Sequence, residues 1–243
     1  MFSVDGAWLA DTASKSIPPF ITFLLGLLVG NWRKIRRLIG RKDPIQVFVE
    51  RNPAIIYANM PDWITFPQFV PLDRHTQSEP PKNTLALWGW AKALGGSPAW
   101  FDEMQVTLAA WADLDVVVDS LRVSARAHQV PGGVVALKPV GGASMQPTQL
   151  DVVLGTFSTT VTPRRAGSGE PRDWFAFQLK AGDVQRLLIH VSDNPEQDAD
   201  VAAYEWTAFL DLIVNNKRKT VEITDGGKPF VLVRRNRFQT IEV

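Results

Sequence analysis

The chain contains no cysteine in 243 residues. That absence excludes disulfides, thiolate nucleophiles, and cysteine-ligated zinc or iron–sulfur centres, and it fits a reducing compartment. Histidine is scarce: His75, His128 and His190 are spread so widely that a polyhistidine metal site needs all three to converge. Two tyrosines stand against nine tryptophans, so the large aromatic anchors carry few phenolic hydroxyls. The glycine-rich stretches at 131–133, 141–142 and 167–169 have neither the G-x-G-x-x-G pattern nor the phosphate-loop lysine, and they read as turns. Excess charge is also missing, since 26 cations and 25 acids leave +1. That balance hides a split: residues 1–42 hold seven cations and two acids, leaving −4 for residues 43–243. A mildly acidic body has no electrostatic footprint for nucleic acid. No cofactor is expected.

What the chain does have is an apolar run. Between Lys15 and Arg33 lie 17 residues without a charge, including Phe20, Ile21, Phe23, Leu24, Leu25, Leu27, Leu28 and Val29. As a helix they span roughly 25 Å, near the short end of what crosses a hydrocarbon core. Pro18 and Pro19 fall in the first turn, where a missing N–H costs nothing, and Trp32 sits where an interfacial aromatic belongs. Arg33, Lys34, Arg36, Arg37, Arg41 and Lys42 follow at once. A secretory signal has the opposite order, with cations before the apolar stretch. Here Asp5 and Asp11 precede it. The positive-inside rule then predicts an extracytoplasmic tail over 1–15, a transmembrane helix over 16–32 and a basic juxtamembrane segment over 33–44 on the cytoplasmic face. Membrane lipid is the first expected partner, and the expected location is the cell membrane, single-pass, N-out.

Residues 45–243 are predicted to be mainly β. Strands rich in Val, Leu, Ile, Thr and Phe are expected at 45–50, 104–112, 116–127, 133–138, 149–157, 174–179, 184–192, 203–214, 219–224 and 228–234. Asn215-Asn216 and Asp225-Gly226-Gly227 supply hairpin turn chemistry. Segment 51–83 is proline- and aromatic-rich, extended yet too apolar for a free linker. One short helix is expected over 83–95, with Asn83 as cap, Leu87, Trp90, Ala91 and Leu94 on one face, and Gly95-Gly96 as the stop. The fold class is therefore a transmembrane helix followed by an antiparallel β-sandwich, immunoglobulin-like in a loose sense.

The succession Trp88-Gly-Trp-Ala-Lys-Ala-Leu-Gly-Gly96, Gln105-Val-Thr-Leu108, Val117-Val-Asp-Ser-Leu-Arg-Val123 and Asp225-Gly-Gly-Lys-Pro-Phe230 resembles a group of uncharacterised single-pass membrane proteins of high-GC Gram-positive bacteria. The resemblance covers roughly residues 50–235. It implies an N-terminal membrane helix with a C-terminal β domain, and it carries no activity or site residue.

Several groups of residues carry possible chemistry. Asp193, Glu196, Asp198 and Asp200 make an oxygen-rich loop without the EF-hand spacing, so solvated carboxylates are the favoured reading. Asp113, Asp115 and Asp119, with Asp102 and Glu103 nearby, are candidates for paired carboxylates, although turn positions explain them more simply. Strand alternation puts His190 on one face with Leu188 and Ser192, and no serine elbow accompanies it. Lys217-Arg218-Lys219 and Arg234, Arg235 and Arg237 read as charges guarding sheet edges, with acidic partners or lipid headgroups as the other reading. Trp63, Trp88, Trp90, Trp100, Trp111, Trp174 and Trp206 exceed the needs of one core, which points to an aromatic binding patch if two or three are exposed together. The expected function is a non-enzymatic, membrane-tethered cytoplasmic module that binds a protein partner, whose identity is unknown. The alternatives are a membrane-associated hydrolase using carboxylates and His190, and an outward-facing binding module if the topology is reversed.

Overall fold

The structure, a computed structural model, describes residues 43–58, 66–74, 78–111, 114–138, 149–165, 168–195, 197–235 and 237–243. The expected anchor over 16–32 and the basic run over 33–42 lie outside the described residues. Among those described, no helix is long and apolar enough to cross a membrane. The chain divides into two units, 1–43 and 44–243, and the second is mainly β.

A first five-stranded sheet is built from β1 (Ile45–Glu50), β4 (Phe101–Ala110), β10 (Val184–Asp193), β7 (Leu150–Leu154) and β8 (Thr160–Pro163), adjacent in that order. Period-two patterning decides which face is buried. Val106 and Leu108 on β4, and Leu187, Ile189 and Val191 on β10, point inward. His190, Leu188 and Ser192 occupy the opposite face, as their alternation predicts.

The second sheet orders β12 (Lys217–Ile223), β11 (Ala203–Val214), β5 (Val116–His128) and β9 (Phe177–Leu179), with β13 (Phe230–Val233) also paired to β11. Tyr204, Trp206, Ala208, Leu210, Leu212 and Val214 alternate into the interior along β11. On β5 the register skips Asp119 between Ser120 and Val118, a β-bulge. The extra residue shifts the phase of the strand, so that Val118 and Leu121 both reach the core. One hydrophobic cluster joins the sheets, with Met104, Leu108, Leu150 and Leu154 from the first and Leu121, Trp206, Leu210 and Phe230 from the second. Each such side chain contributes about 1.5–3 kcal/mol by leaving water. Two antiparallel-rich sheets around one core are consistent with a β-sandwich.

Two features depart from the sequence reading. First, the sheets are not purely antiparallel: β7 pairs with β10 in parallel, and β6 (Gly133–Leu137) with β14 (Gln239–Glu242). Second, β14, β6, β2 (Gln68–Pro71) and β3 (Ser97–Pro98) form a small third sheet. Strand β2 comes from the proline-rich segment and buries Gln68, Phe69 and Val70 in succession, so it shows no alternation. Gly96 and Gly133 make its close packing possible, since a Cβ at Gly96 would lie 2.2 Å from the Phe69 carbonyl oxygen.

There are two short helices among the described residues where one was expected. Helix α1 (Pro53–Ile56) is capped by the Asn52 side chain and starts on a proline. Helix α2 (Ala86–Ala93) is shorter than 83–95, because its first residue follows Leu85 and not Asn83. The Asn83 side chain instead accepts from the Leu85 amide at 2.9 Å, ordering the turn before the helix. Leu87 and Ala91 are buried, and Gly95 ends the helix at a φ of 75°.

Candidate functional site

The acidic loop after β10 is occupied by an internal cation. Arg234 is 3% exposed. Its Nε donates to Asp193 at 3.0 Å, and its Nη2 to the carbonyls of Asn194 at 2.9 Å and Gln197 at 2.7 Å. Nη1 donates to the Asp198 carbonyl, and the guanidinium lies 5.6 Å from the centre of the Tyr204 ring. Asp198 accepts from the Thr156 amide at 2.7 Å and the Tyr204 hydroxyl at 2.8 Å. The Thr156 amide, with help from that hydroxyl, holds the Asp198 carboxyl below its usual range. Burial, then Asp198, pushes the Tyr204 phenol well above its own. Arg237 donates to the Asp200 carbonyl at 3.0 Å. The Asp193 and Asp198 carboxylates are therefore bound within the protein and not simply solvated, Asp200 stays exposed, and Arg234 is a buried clamp where an edge charge was expected. Glu196 lies outside the described residues.

The other candidate carboxylates do not converge. Asp115 accepts from the Ala181 amide at 2.9 Å, Asp119 is the bulge residue of β5, and Asp113 lies outside the described residues. Asp102 and Glu103, neighbours on β4, are both buried but serve different partners. Arg51 donates to Asp102 through Nε at 3.0 Å and Nη2 at 2.7 Å, while its Nη1 reaches Asp225 at 2.9 Å. Burial holds the Asp102 carboxyl above its usual range, against the pull of Arg51. Glu103 accepts from the Tyr57 hydroxyl and lies 3.2 Å from His190 Nδ1. The antiparallel register of β4 and β10 sets Glu103 directly opposite His190, whose ring stacks on Phe101 at 5.5 Å. No sequence spacing announced this pair, because 87 residues separate its members. A carboxylate that orients an imidazole is half of a general-base device. Neither of the two residues lines the clefts beside Trp174, Trp88 or Phe48. Among the described residues no group of three or more His, Asp or Glu is placed to hold a metal ion.

The tryptophans separate sharply. Trp206 is 2% exposed and packs on Phe230 at 4.5 Å, whereas Trp88, Trp90, Trp100 and Trp111 are half-buried. Trp63 and His75 lie outside the described residues. Trp174 is 64% exposed. It borders a cleft of about 270 Å³ between the edge strands β8 and β9, where the two sheets part. Phe175 and Phe177 meet edge to face at 5.4 Å in its wall and pack against the shared core. Arg164 is held in place by Asp151 and by the Gly169 carbonyl, at 2.9 Å from the latter. Arg172 lies 5.8 Å from the Trp174 ring centre. The lining includes these two guanidinium groups and no carboxylate. Gln149 also lines it, and its Oε1 is buried with no hydrogen-bond partner. Apolar rings, fixed cations and an unused acceptor make a surface suited to an apolar group flanked by acidic and N–H groups.

No protein-family model matches the chain, and no curated protein matches it.

Proposed function

We propose that this chain is a non-catalytic interaction module, tethered to the membrane by residues 16–32, whose β body faces the cytoplasm and binds a partner protein at the Trp174 cleft. The observation that carries this reading is the exposure of Trp174 beside Phe175 and Phe177, at a place where the core is already closed. An indole left in water next to two guanidinium groups costs solvation that a bound partner recovers, and aromatic and arginine side chains dominate binding energy at interfaces. The charge order around the apolar run supports the tether and its direction, the resemblance to single-pass proteins supports the tether alone, and the immunoglobulin-like description of the sandwich belongs to the same reading. Tethering raises the effective concentration near the membrane, so a modest interface suffices.

The test is a recovery experiment on the solubilised full chain, comparing Trp174→Ala with the parent. The parent should retain a partner that Trp174→Ala loses, at an unchanged melting temperature. Identical recovery from both would sink the cleft reading. A reporter fused after Val243 should work only in a cytoplasmic form. The hydrolase reading rests on the Glu103–His190 pair alone, and it gains if a purified hydrolytic activity disappears in His190→Ala.

A further inference from the structure

The hairpin between β11 and β12 turns through Asn215 and Asn216, at φ of 49° and 59°, and then presents Lys217, Arg218 and Lys219 in succession. All three are exposed, and none takes part in an ion pair among the described residues. Their place in the fold sets them apart from the cations that clamp loops. Strand β1 edges the first sheet and β12 edges the second. Val47, Phe48 and Val49 share a cleft with Glu222, Ile223 and Thr224, so these two edges face each other. Arg51, just past β1, binds Asp225, just past β12, at 2.9 Å. Both strands therefore run the same way, and their first residues, Ile45 and Lys217, share one end of the body. Packed sheets lie about 10 Å apart, so the three cations stand roughly that far from where the chain enters at Pro44.

We propose that this hairpin rests on anionic lipid headgroups, making the body a second, electrostatic contact with the membrane that holds its anchor. The inference depends on the tether reading above. The ten residues 33–42 reach at most about 35 Å when extended and about 15 Å as a helix, which keeps the entering end of the body near the surface. Asp43, Asp115 and Asp183 lie at the same end and are exposed. Asp115 accepts from the Ala181 amide and Asp183 from the Lys180 amide, whereas Lys217, Arg218 and Lys219 stand exposed opposite Val214, Ile213 and Leu212, on the arm of the hairpin that leaves the turn. Each basic residue close to a strongly anionic leaflet favours the docked form about fivefold, and three together about a hundredfold. A body pressed against the bilayer at this end holds the Trp174 cleft, which lies at the edge opposite β1 and β12, at a fixed orientation to the surface.

The absence of native cysteine makes the test direct. Ile213→Cys lies on β11 opposite Arg218, and Ser158→Cys lies near the other end of the body, beyond β7. Each full-length variant is labelled with a fluorophore and reconstituted in vesicles of phosphatidylcholine alone or mixed equally with phosphatidylglycerol, both carrying a headgroup quencher. The hairpin probe should be quenched several-fold more than the Ser158 probe in the anionic vesicles. That excess should vanish in phosphatidylcholine alone and after joint Lys217→Gln, Arg218→Gln and Lys219→Gln substitution, with the melting temperature unchanged. Equal quenching at both positions in a chain that floats with its vesicles overturns this inference alone, as does quenching that survives the triple substitution. A chain that floats with neither vesicle overturns the anchor reading and this inference together.

Discussion

Replacing Arg234 by methionine should be among the most damaging single changes in the body. The guanidinium serves four acceptors: the Asp193 carboxylate and the carbonyls of Asn194, Gln197 and Asp198. Both ends of the ion pair are nearly sealed, with side-chain exposures of 4% each. Arg234→Met keeps most of the apolar stem but strands a buried carboxylate and three carbonyls. Loss of one partner from such a pair costs about 3–5 kcal/mol. For a body of this size each kcal/mol moves the melting temperature by about 2–4 °C, so a fall of roughly 6–20 °C is expected. Arg234→Lys should recover only part of it, because a single ammonium cannot reach four acceptors arranged around a planar fork. Asp193→Asn added to Arg234→Met should cost less than the two changes summed, with a coupling above about 1 kcal/mol. Intrinsic tryptophan fluorescence during a thermal ramp reads all of this. Calcium or a chelator should leave the parent's melting temperature unmoved, since Arg234 already supplies the loop's positive charge. A stabilising effect of calcium on the parent, or an Arg234→Met melt within about 2 °C of it, would refute the clamp.

Three further outcomes follow from the geometry. Asp211 accepts from Arg122, Thr220 and Ser120, and the Arg122 bond above all holds its carboxyl well below the ordinary value of 3.8. The unfolded chain therefore takes up this proton first on acidification. The contribution is full above that ordinary value and drains as pH falls towards the folded one. Asp211→Asn should thus lower stability at neutral pH by under about 1 kcal/mol, because Arg122 is exposed, and the gap to the parent should narrow below about pH 4 in chemical denaturation series. Trp206→Ala should cost about 3–5 kcal/mol, and Trp174→Ala within about 0.5 kcal/mol of nothing, in the same melts. Gly96→Ala should destabilise by about 1–3 kcal/mol, since backbone and not a flexible side chain blocks the new methyl group.

The long strands were legible in the sequence because one face of each is buried. The span 203–214 is realised without change as β11, since the alternation that runs from Tyr204 to Val214 leaves no other register. Elements missed, such as β2, β3, β8 and β14, are four residues or fewer. So short a run has no readable period, and β2 is buried on both faces. The site was less legible for a related reason. Asp193 and Arg234 stand 41 residues apart, and Glu103 and His190 stand 87 apart, so each pair exists only once strands are set beside one another. The doubled glycines and asparagines that mark turns were readable from local chemistry alone. Asn215, Asn216, Gly226 and Gly227 all take the positive φ their sequence suggests.

The position of the Trp174 cleft has its own logic. A pair of packed sheets leaves an open side wherever the edge strands are too short to cover the core. Strand β9 is three residues long and β8 four, and these are the two edges that flank the cleft. Phe175 and Phe177 close that side by packing on the shared core. Trp174 is the residue before them, and its side chain stays outside because the space beneath is taken. Arg172 partners its ring, a weak contact at an exposed site, worth about 0.5–1 kcal/mol, that sets the ring's orientation without hiding it. The same edge therefore has two jobs with opposite demands. It must exclude water from the core, and it must stay open enough to bind. Packed phenylalanines beneath an exposed indole meet both. Phe177→Ala should accordingly lower the melting temperature as well as partner recovery, whereas Trp174→Ala should lower recovery alone. If both changes moved stability equally, Trp174 would be part of the core's closure and the cleft would lose its claim to a binding role.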